Sequence, residues 1–144
     1  MNLTKHFTLE ELTHTSHREF DNTPNEKELA NLQKLAEFLE QVKTLLDGKP
    51  IMINSAFRSK QVNDSVGSKD TSQHRLGYAA DFRVPGISPD TVVRALIASG
   101  LPYDQVIREF SDPVNGGGWT HVSISPSPRR QALIIDRAGT RPFA

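Results

Sequence analysis

Apolar residues along the chain follow two different rhythms. Leu29, Leu32, Leu35, Ala36, Leu39, Val42 and Leu46 recur three and four residues apart. That is the spacing of one face of an amphipathic helix. Thr23 is a good N-cap for it, Pro24 suits its first position, Glu26 closes a capping box and Gly48 supplies the stop. A shorter helix is expected from Thr8, which makes a capping box with Glu11, while Phe7 and Leu12 form a hydrophobic staple across it. Residues 15–22 are polar and irregular. A short helix is expected over residues 59–66, ended by Gly67. A third long helix is capped by Ser88-Pro89 and ended by Gly100.

The other apolar residues fall in short runs. Residues 51–53 read as a short buried strand, and residues 67–78 as a polar loop. Strands are expected over residues 79–84, 105–110, 119–125 and 131–137. Asn115-Gly116-Gly117-Gly118 marks the turn before the third of these, and Pro126 and Pro128 mark the turn after it. Helices come first and strands follow. The pattern predicts an α+β fold in which N-terminal helices pack on a mainly antiparallel sheet. The chain has 144 residues and no visible internal repeat, so one domain spanning 1–144 is expected.

Composition narrows the chemistry. Seventeen basic residues balance seventeen acidic ones, and no block of Lys or Arg occurs. Nothing attracts a phosphate backbone, so nucleic acid is not an expected partner. The absence of cysteine excludes disulfides, thiolate metal sites and a cysteine nucleophile. Any metal must sit on His, Asp or Glu. No apolar run is long enough to span a bilayer, so membrane insertion is not expected. Met1 to His6 lack the apolar stretch of a signal peptide, which predicts a protein made in a cytoplasm with no export route of its own; a monomer is expected.

Three residues stand out. Asp81 lies inside an apolar strand, where an unpaired carboxylate is not tolerated. His74 precedes it by seven residues. His121 sits in Trp119-Thr120-His121-Val122-Ser123, where alternation places it on the face opposite Val122. Two imidazoles and one carboxylate can hold a zinc ion with one position left open. Each residue also has a plainer reading. His74 fits a surface loop, Asp81 an ion pair with Arg58 or Arg75, and His121 a satisfied core position. His6, His14 and His17 read as solvated.

The surrounding residues add to this. Ser72-Gln73-His74-Arg75-Leu76-Gly77-Tyr78-Ala79-Ala80-Asp81 resembles the Ser-x-His-x-x-Gly-x-Ala-x-Asp signature of the zinc D-Ala-D-Ala carboxypeptidase and endolysin family. Ser55-Ala56-Phe57-Arg58-Ser59 and Trp119-Thr120-His121-Val122-Ser123 are similar to its flanking motifs, and the opening Phe7 to Leu12 resembles its phage-type branch. The resemblance implies a Hedgehog/D,D-peptidase-like fold and hydrolysis of peptidoglycan stem peptides. His74, Asp81 and His121 would be the Zn2+ ligands. Arg58 would bind a substrate carboxylate or carbonyl, and Ser72 and Gln73 would line the cleft. The protein would wait in the host cytoplasm until lysis and then act on the cell wall. The missing signal peptide favours lysis, and therefore an L-Ala–D-Glu endopeptidase over a D-Ala-D-Ala carboxypeptidase.

One position departs from the family pattern. Many relatives carry the catalytic carboxylate three residues before the last histidine, where this chain has Gly118. The phage-type branch has a Gln-x-Ile-x-Glu strand instead, matched by Gln105-Val106-Ile107-Arg108-Glu109. Glu109 is then the expected base, with Asp112 as the fallback and a surface carboxylate paired to arginine as the plainer reading. Two rivals remain at this stage. One is the facial triad of an iron(II) oxygenase, which belongs on an all-β jelly roll. The other is a non-catalytic cell-wall binding or phage structural module that keeps the metal as a staple, a reading Gly118 favours.

Overall fold

The computed structural model describes residues 1–111 and 117–143. The elements run α1 (Leu9–Leu12), α2 (Glu26–Leu45), β1 (Met52–Ser55), α3 (Lys60–Ser65), α4 (Gln73–Leu76), β2 (Ala79–Arg83), α5 (Pro89–Ser99), β3 (Gln105–Glu109), β4 (Trp119–Ser123), β5 (Gln131–Asp136) and β6 (Gly139–Pro142). The class is α+β, with six strands in the order β1-β2-β4-β3-β5-β6. Every neighbouring pair is antiparallel except β3 and β5. After β4 the chain crosses to the far side of β3 and begins β5 at the end where β3 begins, so the two strands run in the same direction.

The long helices form because their apolar stripes have a sheet face to cover. Leu32, Leu35, Leu39 and Val42 of α2 and Val92, Val93 and Leu96 of α5 share one core with Ala80, Phe82, Val106 and Val122 from β2, β3 and β4. Alternation along those strands sends Asp81, Ile107 and His121 to the opposite face. The helices therefore build a rigid back for whatever that face carries.

Caps settle the helix ends. Thr8 and Glu11 close the expected box on α1, and Phe7 and Leu12 are buried together beside it. At α2 the expected start is corrected. The N-cap is Asn25, not Thr23, and the reciprocal partner is Glu28, not Glu26. Thr23 turns back to Asp21 instead, donating from its hydroxyl and its N–H at 2.6 and 3.0 Å. Overlapping Asx and Ser/Thr signals two residues apart offered two boxes, and the later one is the one that closes.

Three further expectations change. Residues 51–53 are not a fully buried strand: β1 starts at Met52, which is 56% exposed on an edge strand. The expected loop over 67–78 contains α4, one helical turn capped by Ser72 and closed by Gly77 at φ +83°. The sequence pattern missed β6, whose Gly-Thr-Arg-Pro lacks any apolar alternation because all four residues are exposed at the sheet edge.

Burial ranks the cost of mutation. Leu39→Ala should destabilise by about 2–5 kcal/mol through the cavity it leaves. Met52→Ala should stay within about 0.5 kcal/mol. Urea unfolding of both variants checks the ranking; equal costs would contradict the burial of α2 and the exposure of β1.

Candidate active site

The sheet register fixes two of the candidate residues. Asp81 of β2 stands opposite His121 of β4, and His121 stands opposite Ile107 of β3. On the face away from the helices, His121 Nδ1 lies 2.8 Å from Asp81 Oδ1. His74 comes from outside the sheet. The Ser72 hydroxyl accepts the His74 backbone N–H, and Arg58 N–H donates to the His74 carbonyl at 3.0 Å. Asn31 of α2 donates to the Leu76 carbonyl at 2.8 Å, and Arg75 pairs with Glu28 of the same helix. Gly77 lets α4 approach α2 closely, since a Cβ there would stand 3.0 Å from the Glu28 carbonyl oxygen.

The His74 ring has a defined orientation. Nδ1 lies 2.7 Å from the Ala56 carbonyl oxygen, which can only accept, so Nδ1 carries the proton. That leaves the Nε2 lone pair facing Asp81 Oδ2 at 3.3 Å. Ligand atoms of His74, Asp81 and His121 all lie within 4.8 Å of one another. Zinc–ligand bonds of about 2.0–2.1 Å place tetrahedral donors roughly 3.3 Å apart. The two contacts at 2.8 and 3.3 Å fit that edge with small adjustment, and the two-imidazole, one-carboxylate donor set suits zinc. The ring tethered through Nδ1 to a backbone carbonyl is the usual support of a metal-ligating histidine.

Charge in this group is finely set. Burial alone would raise the Asp81 pKa, but His74 and His121 outweigh it and hold the carboxyl well below its ordinary range. Burial pushes the His74 pKa down, against the attraction of Asp81. The carboxylate therefore stays ionised while His74 favours its neutral, metal-competent form. Of the two plainer readings of Asp81, the ion pair with Arg58 is present but long, with Nη2 4.0 Å from Oδ2, whereas Arg75 is engaged with Glu28.

A cleft of about 770 Å3 opens over the group. Arg58, Ser72, Gln73 and Glu109 line it together with the three clustered residues. Glu109 is half-buried, and Trp119 Nε1 donates to its Oε2 at 2.6 Å. Burial first, and then the charge of Asp81, raise its pKa. Ser72 and Gln73 line the cavity, but their side chains are engaged elsewhere. Ser72 caps α4, and Gln73 Nε2 donates to Asp104 Oδ2 at 2.7 Å. Asp112 lies outside the described residues, as do Asn115 and Gly116 of the expected turn. His6 binds Glu40, and none of His6, His14 and His17 joins the group.

Two participants were not found from the sequence. Trp119 was placed on a face but not paired with Glu109; their direct register opposition shows why they meet. Asp104 escaped because its partners Gln73 and Arg129 lie 31 and 25 residues away. A lone Asp ahead of a strand carries no local signal.

Gly118 explains the departure from the family pattern. Its φ is +64°, and a Cβ would stand 2.1 Å from the Glu109 carbonyl oxygen. The end of β3 occupies the space a side chain would need, so no carboxylate fits at this position.

Comparison with known proteins bears on the same residues. The family model for peptidase M15 matches residues 5–115 of the 144. That span includes Arg58, His74, Asp81 and Glu109 and stops before His121. No curated protein matches the chain.

Gly118→Asp should destabilise the protein by at least about 2 kcal/mol, because it adds left-handed strain to a steric overlap. Chemical denaturation measures it. A variant as stable as the wild type would show that β3 does not fill this space.

Proposed function

This chain belongs to the peptidase M15 family, and we propose that it is a zinc peptidase that cuts the stem peptides of bacterial peptidoglycan. The observation that carries the reading is the convergence of His74, Asp81 and His121 in one cleft with Glu109 and Arg58. His74, Asp81 and His121 hold the metal, and three protein ligands leave a further position open for substrate. Zinc, when bound, supplies a Lewis acid that polarises the scissile carbonyl and brings the pKa of water to about 7.

Glu109 performs the proton transfers. It takes a proton from the attacking water and delivers it to the amine nitrogen as the C–N bond breaks. Its raised pKa brings it closer to the value that serves both transfers, and Trp119 holds Oε2 in place, leaving Oε1 for the water. The position of Glu109 opposite the His121 strand weakens the case for a non-catalytic module, which rested on Gly118. A helix-backed sheet likewise gives no support to the jelly-roll iron site.

Arg58 pairs with a substrate carboxylate through two parallel N–H···O bonds. Two bonds of a stem peptide have a carboxylate beside the scissile amide: the terminal D-Ala linkage and the L-Ala–D-Glu linkage. We assign the second. The lining of the cleft extends beyond the ligand group to Ser68, Lys69 and Ile135 of β5, room that suits a chain continuing past the cut.

Digestion of a defined pentapeptide stem, followed by mass spectrometry, tests the assignment. Cleavage between L-Ala and D-Glu is expected; release of D-alanine alone would make the enzyme a carboxypeptidase. Glu109→Gln should keep the fold and lower turnover by roughly 10²–10⁴-fold. Glu109 must be ionised to accept a proton and its pKa lies above the ordinary 4.5, so kcat/KM should fall as pH drops through a point above that value. If Asp112→Asn abolishes turnover and Glu109→Gln does not, Asp112 is the base.

A further inference from the structure

Asp104 is a buried carboxylate with no part in the steps above. It is 1% exposed, at the entrance to β3. Its backbone N–H donates to Ser123 at the end of β4, and its carbonyl accepts from Gln131 at the start of β5. Arg129 compensates its charge: Nη2 reaches Oδ2 at 2.6 Å, while the backbone N–H and Nε reach Oδ1 at 2.9 and 3.0 Å. A buried carboxylate is tolerated when paired and hydrogen-bonded in this way. That pairing accounts for the burial but not for the fourth partner, Gln73.

Gln73 Nε2 donates to Asp104 Oδ2 at 2.7 Å and lies 3.4 Å from the Ile124 carbonyl oxygen. The next residue in the chain is His74. Asp81 and His121 are fixed by the strand ladder, but His74 sits on a helix of four residues. One helical turn has no stability of its own. Its orientation must come from tethers, and Gln73 to Asp104 is the side-chain tether that ties the turn to the sheet beyond the ligand group.

We infer that Asp104 is a positioning residue: through Gln73 it anchors the α4 turn, so that His74 Nε2 is held facing Asp81. Gln73 then acts on the metal site through Asp104 rather than by touching substrate. The inference rests on the zinc reading above.

Zinc titration of the full chain against a competing chelator tests it, alongside thermal unfolding of the metal-free protein. Gln73→Leu removes the donor. Asp104→Ala removes the acceptor that Gln73 and Arg129 share. Both variants should bind zinc about 10–100-fold more weakly, the usual effect of losing an outer partner of a metal ligand. The double variant should be no weaker than the worse single one. Arg129→Ala removes the charge pair and lowers Tm but leaves the Gln73 link, so its zinc affinity should stay within about threefold of wild type. A purely structural role would make affinity follow Tm. Wild-type affinity in Gln73→Leu, or a loss in Arg129→Ala equal to that in Asp104→Ala, would overturn the inference. A wild-type chain that takes up no zinc would overturn the zinc reading itself, and this inference with it.

Discussion

Asp81 lies in β2 between Ala80 and Phe82, two residues with no exposure at all, packed under the helices. Its own side chain turns to the other face and is still only 12% exposed. An ionised carboxylate in such a place costs several kcal/mol unless something compensates it. Here His121 Nδ1 of the neighbouring strand lies 2.8 Å from one carboxylate oxygen, while His74, from a separate helical turn, aims an Nε2 lone pair at the other, a meeting of donors that a cation between them would satisfy. Holding the second imidazole in reach requires Ser72 as a cap, Gly77 as a left-handed stop, the Ala56 carbonyl, and the contacts of α4 with α2. Much of the chain between residues 55 and 81 is thus arranged around one charge.

The rest of the site follows from strand register. Because β2, β4 and β3 are neighbours, Asp81, His121 and Ile107 form one row, and Glu109 stands one step along the same face. A slip of one residue between β3 and β4 would send Glu109 to the helix side and Arg108 into the cleft. The tight approach of Gly118 to the Glu109 carbonyl pins that register, since no other residue fits there. The glycine that removes one carboxylate from the site thereby fixes the place of another.

The periodic parts of this architecture were legible in the sequence. The apolar stripes of α2 and α5, the capping box at Thr8, and the alternation of β3 and β4 all encode local geometry, and local geometry is what spacing reports. Asp81 and His121 could be read as polar residues in strands, but His74 lay in an expected polar loop and joined them through the resemblance of its surrounding motif. What could not be read depends on contacts across the fold. The choice of Asn25 over Thr23 rests on which of two boxes closes better. The turn α4 is too short to carry a period. β6 exists because β5 offers it an edge, and Asp104 acquires meaning only when β4, β5 and α4 meet around it.

The central claim is that His74, Asp81 and His121 are ligands of one zinc ion. Elemental analysis of the purified chain, run beside the three single alanine variants, tests it most directly. The account predicts close to one zinc per wild-type chain, a large loss in each variant, and weaker binding as pH falls below about 6.5, where histidine takes up a proton. A metal-free chain that remains fully active in a strong chelator would contradict it.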